Sequence, residues 1–250
     1  MKVFSVCGIT KSGKTTTIEQ IIRELSARGH KVGSVKEIHF EAFAIDPDQT
    51  TNTARHRKAG AELVTARGLN ETDVLFPRKL DTRKILSFYH DFDYVVLEGV
   101  SDASVPMIVT AHAQEDLEQK WNDYVFCVSG RIAAGLTDQG YRGVPAISAL
   151  PNAAALVDLI ELTVYDLLPD FDPECCSACG YSCREFGVRI LKGEARRKEC
   201  AAGRGVELYI DGKRIDMVPF VQNVLRGTVL GVVGELDGYR DNMKVKIKLR

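Results

Sequence analysis

The stretch "GITKSGKT", residues 8 to 15, limits the possible folds of this chain more than any other feature. Its residues fit the pattern G-x-x-x-x-G-K-[ST], with Gly8, Gly13, Lys14 and Thr15 in the fixed places. The preceding "KVFSVCG" reads as a short buried strand. Behind it, "KTTTIEQIIRELSARGH" carries Ile18, Ile21, Ile22 and Leu25 at helical spacing and ends at Gly29 in a C′-like position. Strand, loop and helix in that order predict the entry of an α/β domain. The glycines let backbone N–H groups turn inward around phosphate oxygens, and Lys14 brings a charge to the outer phosphates. Thr15 offers a hydroxyl to Mg²⁺ at the helix start, with Thr16 beside it in the first turn. The pattern predicts a nucleotide site.

Further strands are expected at "KVGSVKEI", "DYVVLEGV", "PMIVTA" and "YVFCVSG", with a short last one at "VPAIS" before a helical pattern from Asn152 to Leu168. Continuous apolar strands alternating with helices imply a mostly parallel sheet covered on both faces. The pattern breaks at "LPDFDPE", where proline and acidic residues mark a boundary near residue 170. In "VELYIDGKRIDMV", Val206, Leu208 and Ile210 alternate around an Asp211-Gly212 turn, predicting a hairpin, and "KVKIKLR" alternates similarly. The expected organisation is therefore a nucleotide-binding domain over 1–170, a cysteine module over 171–203 and a small β-containing module over 204–250.

Composition narrows the function classes. With 250 residues, 45% of them hydrophobic and 27% charged, the chain can bury a core. A formal net charge of −1 gives no global attraction to nucleic acid or anionic lipid, so neither is an expected partner. "MKVFSVCGITKSGKTTT" holds too short an apolar run for a secretory signal, and Asp158, Glu161 and Asp166 interrupt the most apolar region. A cytoplasmic location is expected, where thiols stay reduced and disulfides are disfavoured.

A nucleotide site of this kind needs a carboxylate for metal or water. "DYVVLEGV" puts Glu98 at the end of a buried strand, and Asp46 in "AIDPDQT" is a second candidate. Lys14 and Glu98 are the expected catalytic pair, with Thr15 and Glu98 on Mg²⁺. In "TARHRKAG", Arg55 and Arg57 are candidate clamps for an anionic ligand. Base identity stays open at this level, because no clear N-K-x-D guanine motif is present.

The segments "GITKSGKTTTIEQIIRELSARGHKVGSVKEIHF", "AID", "TARHRKAGAELV" and "DYVVLEG" together resemble the MobB family of P-loop NTPases, associated with the guanine dinucleotide form of the molybdenum cofactor. The resemblance covers roughly residues 2 to 165. It implies GTP, Mg²⁺, a homodimer, molybdopterin-loaded partners and cooperation with a MobA-like guanylyltransferase, in a molybdenum or tungsten pathway. Hydrolysis is expected to be slow, since no arginine finger or water-positioning glutamine is identifiable. Where the family shows a lysine followed by several histidines, this chain keeps Lys36, His39 and Asp46 but has Glu37 and Phe40.

Four of the seven cysteines fall within "CCSACGYSC", residues 175 to 183. From Cys176 the spacing is C-x2-C-x3-C-x16-C, through Cys179, Cys183 and Cys200. Four thiolates suit either zinc or a [4Fe–4S] cluster, and three close cysteines with a distant fourth favour the cluster. "CSACGYSCREFGVRILKGEARRKEC" also resembles the four-iron domain of Rnf-type electron-transfer subunits and corrinoid iron–sulfur proteins, with one residue fewer between the second and third cysteines. Cys175 is the extra thiol, and Cys7 and Cys127 read as core residues. The leading expectation is a GTP-binding accessory protein of cofactor biosynthesis carrying an iron–sulfur cluster. Its rivals are a nucleotide-gated iron–sulfur electron-transfer or metallocentre-maturation protein, and a non-enzymatic nucleotide module with structural zinc.

Overall fold

In a computed structural model, which describes residues 1–40, 43, 50–136, 140–203, 206–239 and 245–247, the chain divides into two units, Met1–Val164 and Tyr165–Arg250. The first grows from β1 (Lys2–Gly8), whose residues from Val3 to Cys7 are all buried. It continues through α1 (Lys14–Ala27), β2 (Val32–Lys36), α2 (Asn52–Lys58), β3 (Val64–Arg67) and β4 (Thr72–Leu75). Then follow α3 (Thr82–Leu86), β5 (Tyr94–Glu98), β6 (Met107–Thr110), α4 (Gln114–Glu118), β7 (Val125–Ser129) and α5 (Ala153–Thr163).

Five strands make one parallel sheet in the order β2-β5-β1-β6-β7. Strands β5, β6 and β7 are buried almost residue for residue, as a parallel sheet covered on both faces requires. Phe4, Ile21, Leu97, Ile108, Leu156 and Ile160 are fully buried in this core, each contributing about 1.5–3 kcal/mol of hydrophobic stabilisation. Helices α1 and α5 pack together, and Arg28 at the end of α1 bonds Asp158 at 2.6 Å and Glu161 at 2.9 Å on α5. The parallel α/β sheet read from the sequence is present.

Several local expectations are corrected. "VPAIS" forms no strand: it gives a single parallel bridge, Val128↔Ala146, held by Val128 N to Pro145 O and Ile147 N to Val128 O, both 2.9 Å. The helical pattern from Asn152 to Leu168 stops at Thr163, beyond which Val164 is extended. A β3–β4 antiparallel hairpin, which the strand reading did not contain, follows α2.

The second unit contains α6 (Cys183–Leu191), β8 (Leu208–Ile210), β9 (Lys213–Ile215) and α7 (Pro219–Val233). Its core joins Tyr165, Leu168, Phe186, Cys200 and Ala202. The β8–β9 hairpin turns at Asp211 (φ 50°) and Gly212 (φ 76°), the left-handed pair that a two-residue turn demands. Helix α7, with Pro219 in its first turn, stands where the sequence pattern predicts only a small strand-containing module. Residues 245–247 of "KVKIKLR" lie in no strand, and its other residues are outside the described ones.

Candidate functional site

Gly8 ends β1 where β6 runs alongside, and its lack of a side chain is a matter of space. A Cβ there would stand 2.1 Å from the Thr110 carbonyl oxygen and 2.4 Å from its hydroxyl. Gly13 is required by conformation: it is the N-cap of α1 at φ 101°. Between them Ser12 is buried, sharing a 2.7 Å hydrogen bond with Thr110 Oγ1, while its carbonyl accepts from Arg131 N at 3.2 Å. The loop is thus anchored to β6 and to the turn after β7. No side chain caps α1, and its first turn has no acidic residue. The N–H groups there and the positive end of the helix dipole are left for an anion.

Lys14 Nζ donates to the carbonyls of Gly8 at 3.0 Å and Ile9 at 2.5 Å, folding back across the loop. Partial burial pushes its pKa down, Lys36 pushes it further, and Glu98 opposes both. Thr15 Oγ1 donates to Glu98 Oε1 at 2.8 Å, and Lys36 Nζ lies 2.5 Å from the same oxygen. These residues line a cavity of about 750 Å³ that also includes Gly8, Gly13 and Thr16. Its charged lining is Lys11, Lys14, Lys36, Lys120 and Arg131 against Glu37 and Glu98. Glu37 is itself paired with Lys79 at 2.9 Å, so the cavity favours a polyanion.

Of the residues singled out in the sequence, Gly8, Gly13, Lys14, Thr15, Thr16 and Glu98 come together here. Arg55 and Arg57 lie on α2 and are not part of this lining, and Asp46 is outside the described residues. His39 lines the cavity, whereas Phe40 is exposed. The motif reading of the site did not include Lys36, Lys120, Arg131 or the Ser148–Leu150 segment. One signal could have found Lys36 and Arg131: they stand at or just past the C-terminal ends of β2 and β7, where parallel sheets bind ligands.

In the second unit, Cys183 opens α6 behind a capping box. Ser182 Oγ accepts from Glu185 N at 3.2 Å, and Ser182 N donates to Glu185 Oε2 at 2.9 Å. Cys179 and Cys183 pack against the apolar cluster that contains buried Cys200. Burial raises the Cys183 pKa; a backbone bond from Phe171 opposes this, and Cys200, Cys176 and Cys179 raise it further. The four thiols share one neighbourhood. Among the described residues, however, no three His, Cys, Asp or Glu side chains are placed so as to hold a metal ion. Cys175 is exposed. Cys7 and Cys127 are buried, and burial pushes the Cys127 thiol up to about 12 and raises Cys7 as well, which disfavours the thiolate at both.

Comparison with known proteins agrees with this architecture. A crystal structure of Bacillus subtilis MobB superposes with a TM-score of 0.53 at 25% identity, covering 67% of this chain and 100% of that one. A protein of Methanocaldococcus jannaschii, named as a molybdopterin-guanine dinucleotide biosynthesis adapter, is 27% identical across 100% of this chain and 97% of its own length. A Bacillus subtilis protein named in the same way is 26% identical over 59% of this chain and 85% of its own. The model of the MobB family, described as molybdopterin guanine dinucleotide synthesis protein B, matches residues 3–129, and the chain belongs to that family.

Proposed function

We propose that the chain is a GTP-binding adapter of molybdenum (or tungsten) cofactor biosynthesis that supports formation of the guanine dinucleotide cofactor. The observation that carries this is the convergence of Lys14, Thr15 and Glu98 below the uncapped start of α1, in a cationic cavity of a MobB-family chain. Lys14, released from the Gly8 and Ile9 carbonyls, binds the outer phosphates, and the α1 amides cradle the inner ones. Thr15 and Glu98 would hold Mg²⁺, which supplies neutralising charge at the phosphates. Their donor set fits: a hydroxyl and a carboxylate already 2.8 Å apart are hard oxygen ligands. Asp46, Arg55 and Arg57 belong to the same proposal, the acid as a further candidate for the metal and the arginines as clamps for the nucleotide's phosphates or for a phosphorylated second substrate. The functional unit is proposed as a homodimer that works with a MobA-like guanylyltransferase and with molybdopterin-loaded proteins.

The test is reconstitution. Guanine dinucleotide cofactor formation by the guanylyltransferase from GTP and metal-loaded molybdopterin is expected to rise when this protein is added. An unchanged rate and yield would contradict the adapter role. Hydrolysis is a separate expectation. Glu98→Gln keeps the shape but weakens the hold on Mg²⁺ or its water, so phosphate release should slow by about tenfold or more while nucleotide still binds. Equal turnover in the two proteins would remove Glu98 from the site.

The cysteines extend the proposal. Cys176, Cys179, Cys183 and Cys200 would hold a [4Fe–4S] cluster, supported by an all-thiol donor set in which two members pack on the apolar cluster containing the fourth.

A further inference from the structure

The parallel register of β2 on β5 makes Lys36 the direct neighbour of Glu98. Glu98 Oε1 receives the Thr15 hydroxyl and the Lys36 ammonium together, and the carboxylate is only 12% exposed, whereas Lys36 is 49% exposed. Both lysines, Lys14 and Lys36, line the same cavity, Lys14 on the Gly8 and Ile9 carbonyls and Lys36 on the Glu98 carboxylate. We propose that Lys36 is a second phosphate-binding lysine, held by Glu98 when the site is empty and transferred to the terminal phosphate when a metal-bound triphosphate takes its place.

The inference rests on the nucleotide reading of the cavity and deepens it. A divalent cation that takes Thr15 and Glu98 competes for the oxygen that now holds Lys36. Lys36 is then an unpaired ammonium in a cavity that already contains Lys14, an arrangement disfavoured by like-charge repulsion. A triphosphate carries one more phosphoryl group than a diphosphate and supplies the missing counter-charge. Lys36 therefore sets the preference for triphosphate over diphosphate, while Lys14 and the α1 amides serve both. If Lys36 were only a structural partner of Glu98, its loss would weaken the two nucleotides in equal proportion.

Calorimetric titration of wild type, Lys36→Met and Lys36→Arg with Mg·GTP and Mg·GDP separates these cases. The ratio of the GDP to the GTP dissociation constant should fall by about tenfold or more in Lys36→Met, the scale of losing one close charge pair. Lys36→Arg, which keeps the charge with a different fork, should recover most of it. A Lys36→Met ratio equal to that of wild type overturns the proposal, as does a wild type that binds GTP and GDP equally well, and both outcomes leave the nucleotide reading standing. A wild type that binds neither GTP nor GDP removes the nucleotide reading itself and this inference with it.

Discussion

Lys14→Ala is expected to lower affinity for Mg·GTP about a hundredfold, the scale of one charge-assisted contact to phosphate in a partly desolvated site. The expectation rests on where Lys14 sits. Its ammonium folds onto the Gly8 and Ile9 carbonyls, within reach of the loop whose amides would face the phosphates. Those two carbonyls can be given up to water or to neighbouring N–H groups, so the ammonium is free to move. Removing it takes one positive charge from a cavity whose lining carries five cationic side chains and two carboxylates, so residual weak binding is expected from the helix start and Lys36. Folding should be little changed, because the side chain is not part of the sheet core. Equilibrium binding of a fluorescent GTP analogue reads this directly, and unchanged affinity would mean that the phosphates lie elsewhere.

The second large effect is expected at the cysteines. Anaerobically prepared protein should carry about four irons and four sulfides per chain and absorb in the visible as a [4Fe–4S] protein. Serine at Cys176, Cys179, Cys183 or Cys200 should remove or convert the cluster, since an alkoxide is a harder ligand than a thiolate and suits iron less well. Cys175→Ser should leave iron content near that of wild type. Cys176→Ser and Cys179→Ser are the cleaner variants. Cys200 is 6% exposed among Tyr165, Leu168 and Phe186, so a hydroxyl there costs about 1–3 kcal/mol of unit stability on its own account. One zinc per chain with no iron, after growth with iron supplied, would replace the cluster by a structural metal site. Iron loss in Cys175→Ser together with iron content near wild type in Cys176→Ser would show that the first ligand is Cys175 and not Cys176. The first unit should keep its nucleotide affinity in all five variants, because its core from Val3 to Ile160 is its own.

The nucleotide half of this picture was largely legible in the sequence. Gly8, Gly13, Lys14 and Thr15 are local in the chain, and one strand, one loop and one helix suffice to assemble them. Glu98 was legible because a buried strand that stops at an acid delivers it to the C-terminal end of the sheet. Lys36 was legible only as a position kept from the family pattern; its pairing with Glu98 was not, because that comes from the register Lys36↔Glu98, and pairing between strands about sixty residues apart leaves no mark in either strand alone. The reason for Gly8 was also hidden, since its close approach to Thr110 is a tertiary fact. At the other end of the chain, "PFVQNVLRGTVLGVV" mixes β-branched residues with two glycines and so looks unlike a helix, yet it forms α7 from a proline start. The cysteine spacing predicts a shared site, and the fold brings the four thiols into one neighbourhood without bringing three of them to ligand distance. Spacing records chain separation, whereas ligation also requires the metal.

The central claim, that the cavity beneath α1 is a guanine nucleotide site, is tested most directly by calorimetric titration of the wild-type protein with Mg·GTP and, in parallel, with Mg·ATP. The account predicts saturable binding of one GTP per chain, abolished or strongly weakened by Lys14→Ala, with ATP binding more weakly. No heat of binding with either nucleotide, or GTP binding that Lys14→Ala leaves untouched, would contradict it.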